Sequence, residues 1–355
     1  MRIVVVGASG NVGTAILRQL RAHGDDEVVG IARRIPPDDE PYRVADWHSV
    51  DVSDDSAAAT LTELFRGADS VVNLAWGFQP GRDVAYLERV GVGGLDNVLL
   101  AARAAGVPHL VHMSSVGAYS AAPRGTVVTE DWATDGVPSS PYSVQKAAAE
   151  RSLDRHEATG ELPAVCRLRP GLIMQRDAGS SLLRYGLPAW FPAAGLDLLP
   201  LLPIDRTFAV PVVNSGDVAA AVIRAIHRQA TGPFNLATAT PLTPVILAAV
   251  LRARTIHVPW KILRSVVAVG WYARVERLDP GWIDLAFNVP LIDSGRARRE
   301  LGWEPVVDTA TTVRQAVLGM RNALFTPSAP MRHRSVVGEI RSILDSGPIT
   351  RRRLP

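Results

Sequence analysis

A tyrosine and a lysine stand four residues apart in "SSPYSVQKAAAERS" (residues 139–152), directly after a proline. Proline suits the first position of a helix and a preceding serine can cap it. Ser140 and Pro141 therefore predict a helix start, with Tyr142 and Lys146 on one face. Such a pair is either an ordinary neighbour contact on a helix surface or a proton-transfer couple. An unperturbed phenol titrates near ~10, so acid–base work near neutrality asks for a shift of about two or three units, roughly 3–4 kcal/mol. A nearby ammonium favours the phenolate and supplies that sign. A second stretch with chemical meaning is "GASGNVG" (7–13). Gly7 permits a tight turn, Gly10 lets backbone approach a pyrophosphate, and Gly13 lets helix and strand pack closely. The competing reading is a glycine-rich turn that binds nothing.

The elements around these residues favour the chemical readings. "RIVVV" (2–6) is a β-branched run of the kind buried on both faces of a sheet. After the glycines, Ala15, Ile16 and Leu20 recur at helical spacing and Gly24 stops the helix. Strand, glycine turn and helix in that order are the context a dinucleotide fingerprint needs, and the helix start offers free N–H groups to phosphate. The alternation continues through "EVVGIA" (27–32), a helix around 56–66, "SVVNLAW" (70–76), a long helix over 84–105, "HLVHMSS" (109–115) and "LPAVCRLRPG" (162–171). Repeated βα units predict an α/β fold, a Rossmann-type doubly wound parallel sheet whose ligands sit at the carboxyl ends of the strands. Gly7, Ala32, Asp51, Ala75, Ser115 and Gly171 all fall at that edge.

Composition narrows the function classes. The chain has 355 residues, 47% hydrophobic and 21% charged, as an ordinary globular protein does. Cys166 is the only cysteine, which rules out an internal disulfide and fits a reducing cytoplasm. The sequence pI is about 9.3, yet the basicity is local. Six arginines against Glu339 and Asp345 give residues 331–355 a net +4, which leaves −1 for residues 1–330 of a chain whose total is +3. No nucleic-acid partner is expected from a near-neutral body. The N-terminal apolar run is too short for a signal peptide, and the stretch 187–204 carries four prolines and Asp197, so no membrane span is expected. The eight histidines are scattered and no metal site is expected.

Taken together, the glycine spacing, "DVSD" (51–54), "NLA" (73–75), "SSVGAY" (114–119), "YSVQK" (142–146) and "RPG" (169–171) resemble the extended short-chain dehydrogenase/reductases, the NAD-dependent epimerase/dehydratase family. "GDVAAAV" (216–222), "GPFNLAT" (232–238) and "RARRELGWEP" (296–305) resemble that family's second half, so the likeness spans roughly residues 1–320. The resemblance implies that Tyr142 is the general acid/base, that Lys146 lowers its pKa and holds the nicotinamide ribose, and that Ser115 hydrogen-bonds the reacting oxygen. Ser114 competes with Ser115 for that role. It further implies a cofactor contact set of Gly7, Ser9, Gly10, Asn11, Val12, Gly13, Arg33, Arg34, Asp51, Val52, Leu74, Ala75, Trp76, Lys146, Pro170 and Gly171, with Asp51 meeting the adenine amino group. An acidic residue at the end of the second strand would select NAD. Here Ala32 is followed by Arg33 and Arg34, which suit a 2′-phosphate, so NADP is favoured over NAD.

The sequence also departs from the family pattern. Where that pattern reads Asn-Val-x-Gly-Thr-x-Asn, this chain has "GVGGLDN" (91–97), with Gly91 and Leu95 in place of the asparagine and threonine. Trp76 is large for its place. A Tyr-Gly-Pro common after "RPG" in sugar-nucleotide enzymes is replaced by "GLIMQRDAG", and Arg206 is the one candidate for a diphosphate-binding arginine. Residues 1–171 are expected to form the dinucleotide domain, with a strand–helix unit near 207–229 returning to it. Residues 172–206 and 230–330 form the smaller substrate part, lined by apolar residues such as Trp190 and Phe191, and 331–355 a basic tail. In the tail, Val337, Ile340, Ile343 and Leu344 share one helical face, expected to dock on the body or, in a homodimer, on a second copy. The favoured activity is net oxidoreduction at a carbonyl or secondary alcohol of a small, fairly apolar metabolite. The alternatives are a nucleotide-sugar epimerase or dehydratase with tightly bound NAD, and a nucleotide-binding regulatory module without turnover, against which the Ser/Tyr/Lys set speaks.

Overall fold

β-Branched strands alternating with helices build one seven-stranded parallel sheet. The computed structural model describes residues 1–24, 26–77, 83–160, 163–186, 193, 195, 200–273 and 278–335. Its strands are β1 (Arg2–Val6), β2 (Glu27–Ala32), β3 (Ala45–Ser49), β4 (Ser70–Asn73), β5 (His109–Met113), β6 (Ala164–Pro170) and β7 (Gly232–Leu236), in the order β7-β6-β5-β4-β1-β2-β3. β1 is an interior strand, with Val4 opposite Val29 of β2 on one side and Val71 of β4 on the other. The strand order reverses beside β1, and open sheets of this kind take ligands at that switch point.

Successive residues of β1 point to opposite faces, which is why the whole run is apolar. Ile3 and Val5 pack with α1 (Asn11–His23) and α5 (Ser215–His227) through Ile16, Leu20, Val218 and Val222. Val4 and Val6 pack on the other face with α2 (Ala57–Phe65), α3 (Gly94–Ala104) and α4 (Pro141–Glu157) through Leu61, Phe65, Leu99 and Leu153. Each large side chain so buried stabilises the fold by about 1.5–3 kcal/mol. Two of the sequence motifs meet here. Trp303 of "ELGWEP" is fully buried and donates from Nε1 to the Asp217 carbonyl at 2.7 Å, while the Asp217 carboxylate accepts from the Val306 and Val307 amides.

Two expectations are corrected by the topology. The strand before α5, Val212–Asn214, does not rejoin the large sheet. It pairs with Leu172–Met174 in a separate two-stranded sheet, because the free edge of β6 is already taken by β7 from Gly232↔Cys166 to Leu236↔Pro170. α5 does return to the sheet face, but the strand that enters comes from the segment assigned to the substrate part. The long helix over 84–105 is also not uniform. Val84–Glu88 and α3 are separated by a widened π turn, Arg89–Gly93, centred on the glycines of "GVGG". The expected tail helix (336–344), and the lining at Trp190 and Phe191, lie outside the described residues.

Candidate active site

Residues from the carboxyl ends of β1, β2, β4, β5 and β6 converge on a cavity of about 540 Å³. Its floor is the glycine turn. Gly7 has φ +83°, and a Cβ there would lie 3.0 Å from the Ala75 amide nitrogen; a Cβ on Gly13 would lie 2.4 Å from the Ala8 carbonyl oxygen. Only glycine lets β1 turn this tightly into α1, whose first turn carries no acidic residue to repel an anion. All sixteen residues of the expected cofactor set line this cavity, from Gly7 to Gly171, together with Ser115 and Tyr142. The cradle therefore fits a dinucleotide in shape and in the chemistry of its donors. Asp51 is fixed by accepting from the Ser53 amide and hydroxyl at 3.0 and 2.7 Å. Arg34 is exposed, while Arg33 is half-buried and donates to the hydroxyl of Tyr86, a residue the sequence did not single out.

Tyr142 and Lys146 are placed by the start of α4. Ser140 caps it by accepting from the Ser143 amide at 3.4 Å, Pro141 follows, and the two side chains project toward the end of β5. The Tyr142 ring lies between two indoles, edge-on to Trp76 at 6.1 Å and tilted by 30° against Trp282 at 4.9 Å between ring centroids. Ser115 is hydrogen-bonded to Tyr142 and accepts the Gly117 amide at 3.0 Å. Burial pushes the phenol up to about 12, with the Ser115 bond acting the other way. That reverses the expected shift. The lysine ammonium turns instead to the Met113 carbonyl, 3.0 Å away, and to the Trp76 ring, whose centroid is 3.4 Å from Nζ. Lys146 is 3% exposed, and burial lowers it from 10.5 to about 7 against the opposing pull of Glu150.

The competitor Ser114 is committed elsewhere. Its hydroxyl donates to Glu150 at 2.6 Å, and Glu150 also accepts from Arg167 at 2.9 Å and from Arg169 at 2.9 and 3.1 Å. Arg169, the arginine of "RPG", reaches on to Tyr119. This buried, fully partnered network ties α4 to β6 and holds the helix start in place.

Gly91 and Trp76 turn out to be one feature. A Cβ on Gly91 would lie 3.0 Å from the Trp76 indole, so the indole fills the space that a larger residue at 91 would occupy. The far end of the cavity is apolar, formed by Leu182, Phe208, Val210, Trp282, Leu285, Ala286 and Val289. Arg206, expected as a diphosphate ligand, is exposed and absent from this wall because the Asp205–Thr207 turn points it outward. Trp282 was missed by sequence reasoning. The local signal was "DPGW": Asp279 caps the helix Pro280–Asn288 by accepting from the Gly281 amide, and that start abuts Ser139 and Ser140.

The family model described as the NAD dependent epimerase/dehydratase family matches residues 3–237, about two thirds of the chain. The chain belongs to the NAD-dependent epimerase/dehydratase family. This family is that of the extended short-chain dehydrogenase/reductases, enzymes that use NAD or NADP. Curated relatives include a dTDP-6-deoxy-L-talose 4-dehydrogenase (NAD(P)(+)) of Kitasatospora kifunensis, 28% identical over 92% of this chain and 96% of its own. Another is a 3-diazoavenalumate denitrifying reductase of a Streptomyces species, 27% identical over 86% and 96%. Larger mycobacterial relatives, from Mycobacterium tuberculosis and Mycobacterium bovis, are 29% identical over 329 residues, and this chain spans 30% of their length. Among solved structures, UDP-glucose 4-epimerase of Thermotoga maritima superposes with TM-score 0.70 at 19% identity over 91% of this chain, which shows the shared fold. Among the described residues no helix is long and apolar enough to cross a membrane.

Proposed function

We propose that this member of the epimerase/dehydratase family is a net oxidoreductase acting at a carbonyl or secondary alcohol carbon of a small, fairly apolar metabolite. The observation that carries the reading is the wall facing Tyr142: Trp282, Phe208, Val210 and Leu285 offer apolar surface, and among the described residues no arginine lines that wall to hold a diphosphate. A bound nicotinamide supplies or accepts the hydride. Tyr142, kept protonated by burial, donates its proton to the substrate oxygen in the reductive direction, and the Ser115 hydroxyl hydrogen-bonds the same oxygen. Lys146 holds the ribose and orders the start of α4. The indoles of Trp76 and Trp282 keep water from the phenol. Arg33 and Arg34 meet a 2′-phosphate, which favours NADP.

The purified protein is expected to carry little bound dinucleotide and to bind added NADPH reversibly in the micromolar range, near about −8 kcal/mol. Denaturing it and assaying the released nucleotide tests this, because an epimerase must keep its cofactor through both hydride transfers whereas a net oxidoreductase exchanges it every turnover. Stoichiometric NAD in the supernatant would favour the nucleotide-sugar epimerase instead, the class of a UDP-glucose 4-epimerase of Mycolicibacterium smegmatis that is 28% identical over 91% of this chain. With a panel of apolar ketones and aldehydes, Tyr142→Phe should lose most turnover and keep its NADPH affinity. Turnover near wild type would remove Tyr142 from the reaction.

A further inference from the structure

One wall of the cavity comes from a segment more than 90 residues beyond those matched by the family model. After the helix Thr309–Arg321 the chain runs back across the molecule, and Ala329, Pro330 and Met331 line the same cavity as the glycine turn. This strap is anchored at several points. The Tyr42 hydroxyl donates to Thr326 at 2.7 Å, and Ser180 donates to the Ala323 carbonyl at 2.7 Å. Ser181 and Arg184 both donate to the Pro330 carbonyl, and Arg184 also to that of Arg332 at 2.7 Å. The Met331 sulfur sits 3.6 Å from the hydroxyl of Thr14, in the first turns of α1, and the Met331 side chain is 1% exposed. A turn closes the strap on itself, with the Met331 amide bonded to the Ser328 carbonyl at 3.1 Å and the Thr326 amide to the Met331 carbonyl at 3.2 Å.

We propose that residues 329–331 are part of the cofactor site, the side wall that holds a dinucleotide against the glycine turn. A pyrophosphate resting on the first-turn amides of α1 has the strap beside it, so the strap shields it from water and must part for the cofactor to leave. Ala329 and Pro330 are only partly buried, as expected of a wall with a ligand on its open side, whereas Ser328 and Met331 are anchored inward. The inference rests on the reading of the cavity as a dinucleotide cleft.

Two variants test it: the chain ended after Phe325, and Ala329→Trp in the full chain, which keeps every tether of the strap and adds bulk to its cavity side. NADH, NADPH and AMP are titrated separately, and melting without ligand reports whether each variant is folded. Both variants are expected to bind the two dinucleotides at least tenfold more weakly, to release NADPH faster, and to bind AMP, which has no pyrophosphate, within twofold of the full chain. Ala329→Trp is expected to melt within a few degrees of wild type. Dinucleotide affinities within twofold of wild type in a folded Ala329→Trp variant would overturn the proposal, as would an equal loss for AMP. If the unaltered chain binds no dinucleotide at all, the reading of the cleft falls and the proposal with it.

Discussion

Replacing Lys146 with methionine should make the protein more stable at pH 6 while removing the residue proposed to hold the nicotinamide ribose. The folded state lowers the Lys146 ammonium from 10.5 to about 7. Between those values the unfolded chain binds more protons than the folded one, so wild-type stability rises with pH across the window, by about 1.4 kcal/mol per unit. Below pH 7 the full cost is present, about 5 kcal/mol for three and a half units. Methionine has a similar linear shape, carries no charge, and leaves the Met113 carbonyl without its donor, which costs about 1–2 kcal/mol. The net expectation is a gain of about 3 kcal/mol at pH 6 that fades from pH 7, vanishes at about pH 9–10 and becomes a loss of about 1–2 kcal/mol by pH 10.5. His112, lowered from 6.5 to about 3, and Tyr142, raised from 10 to about 12, titrate in the unfolded chains of wild type and variant alike, so their slopes cancel in the difference between the two. Urea unfolding of both proteins at pH 6, 8 and 10 measures the difference directly. A variant less stable than wild type at pH 6, or a difference that does not change with pH, would refute this account of the buried ammonium.

Alanine at both Arg33 and Arg34 should weaken NADPH binding by about 2–4 kcal/mol and leave NADH nearly unchanged. Fluorescence titration reads both, and equal losses would mean that the arginines serve another purpose. Gly91→Ala should destabilise by about 1–3 kcal/mol, because the new methyl group meets the Trp76 indole at 3.0 Å. Combining it with Trp76→Ala should return most of that loss in a double-mutant cycle, whereas simple additivity would show that the two positions do not touch.

The half of the molecule that carries the glycine turn was legible because its signals are local. A β-branched run buried on both faces, glycines whose spacing follows from backbone clashes, and Ser140-Pro141 at a helix start each speak for themselves. What stayed hidden depends on distant partners. The Tyr142 phenol was expected to be lowered by Lys146, yet its environment is set by Trp282, 140 positions further on. The ammonium turned away toward Met113 and Trp76. β7 begins with Gly-Pro, so "GPFNLAT" reads as a family motif but carries no strand pattern of its own. The wall formed by Ala329 and Pro330 carries residue types with no chemical signature at all.

The contacts of that wall also order events during synthesis. Thr14 waits for Met331, 317 residues later, and Tyr42 waits for Thr326, 284 later. At roughly 5–20 residues per second, a nascent chain holds its glycine turn without this cover for about 15–60 s. The sheet from β1 to β6 can close much earlier, since its strands are all made by residue 170. The glycine turn thus emerges some 317 residues ahead of the segment that walls it in.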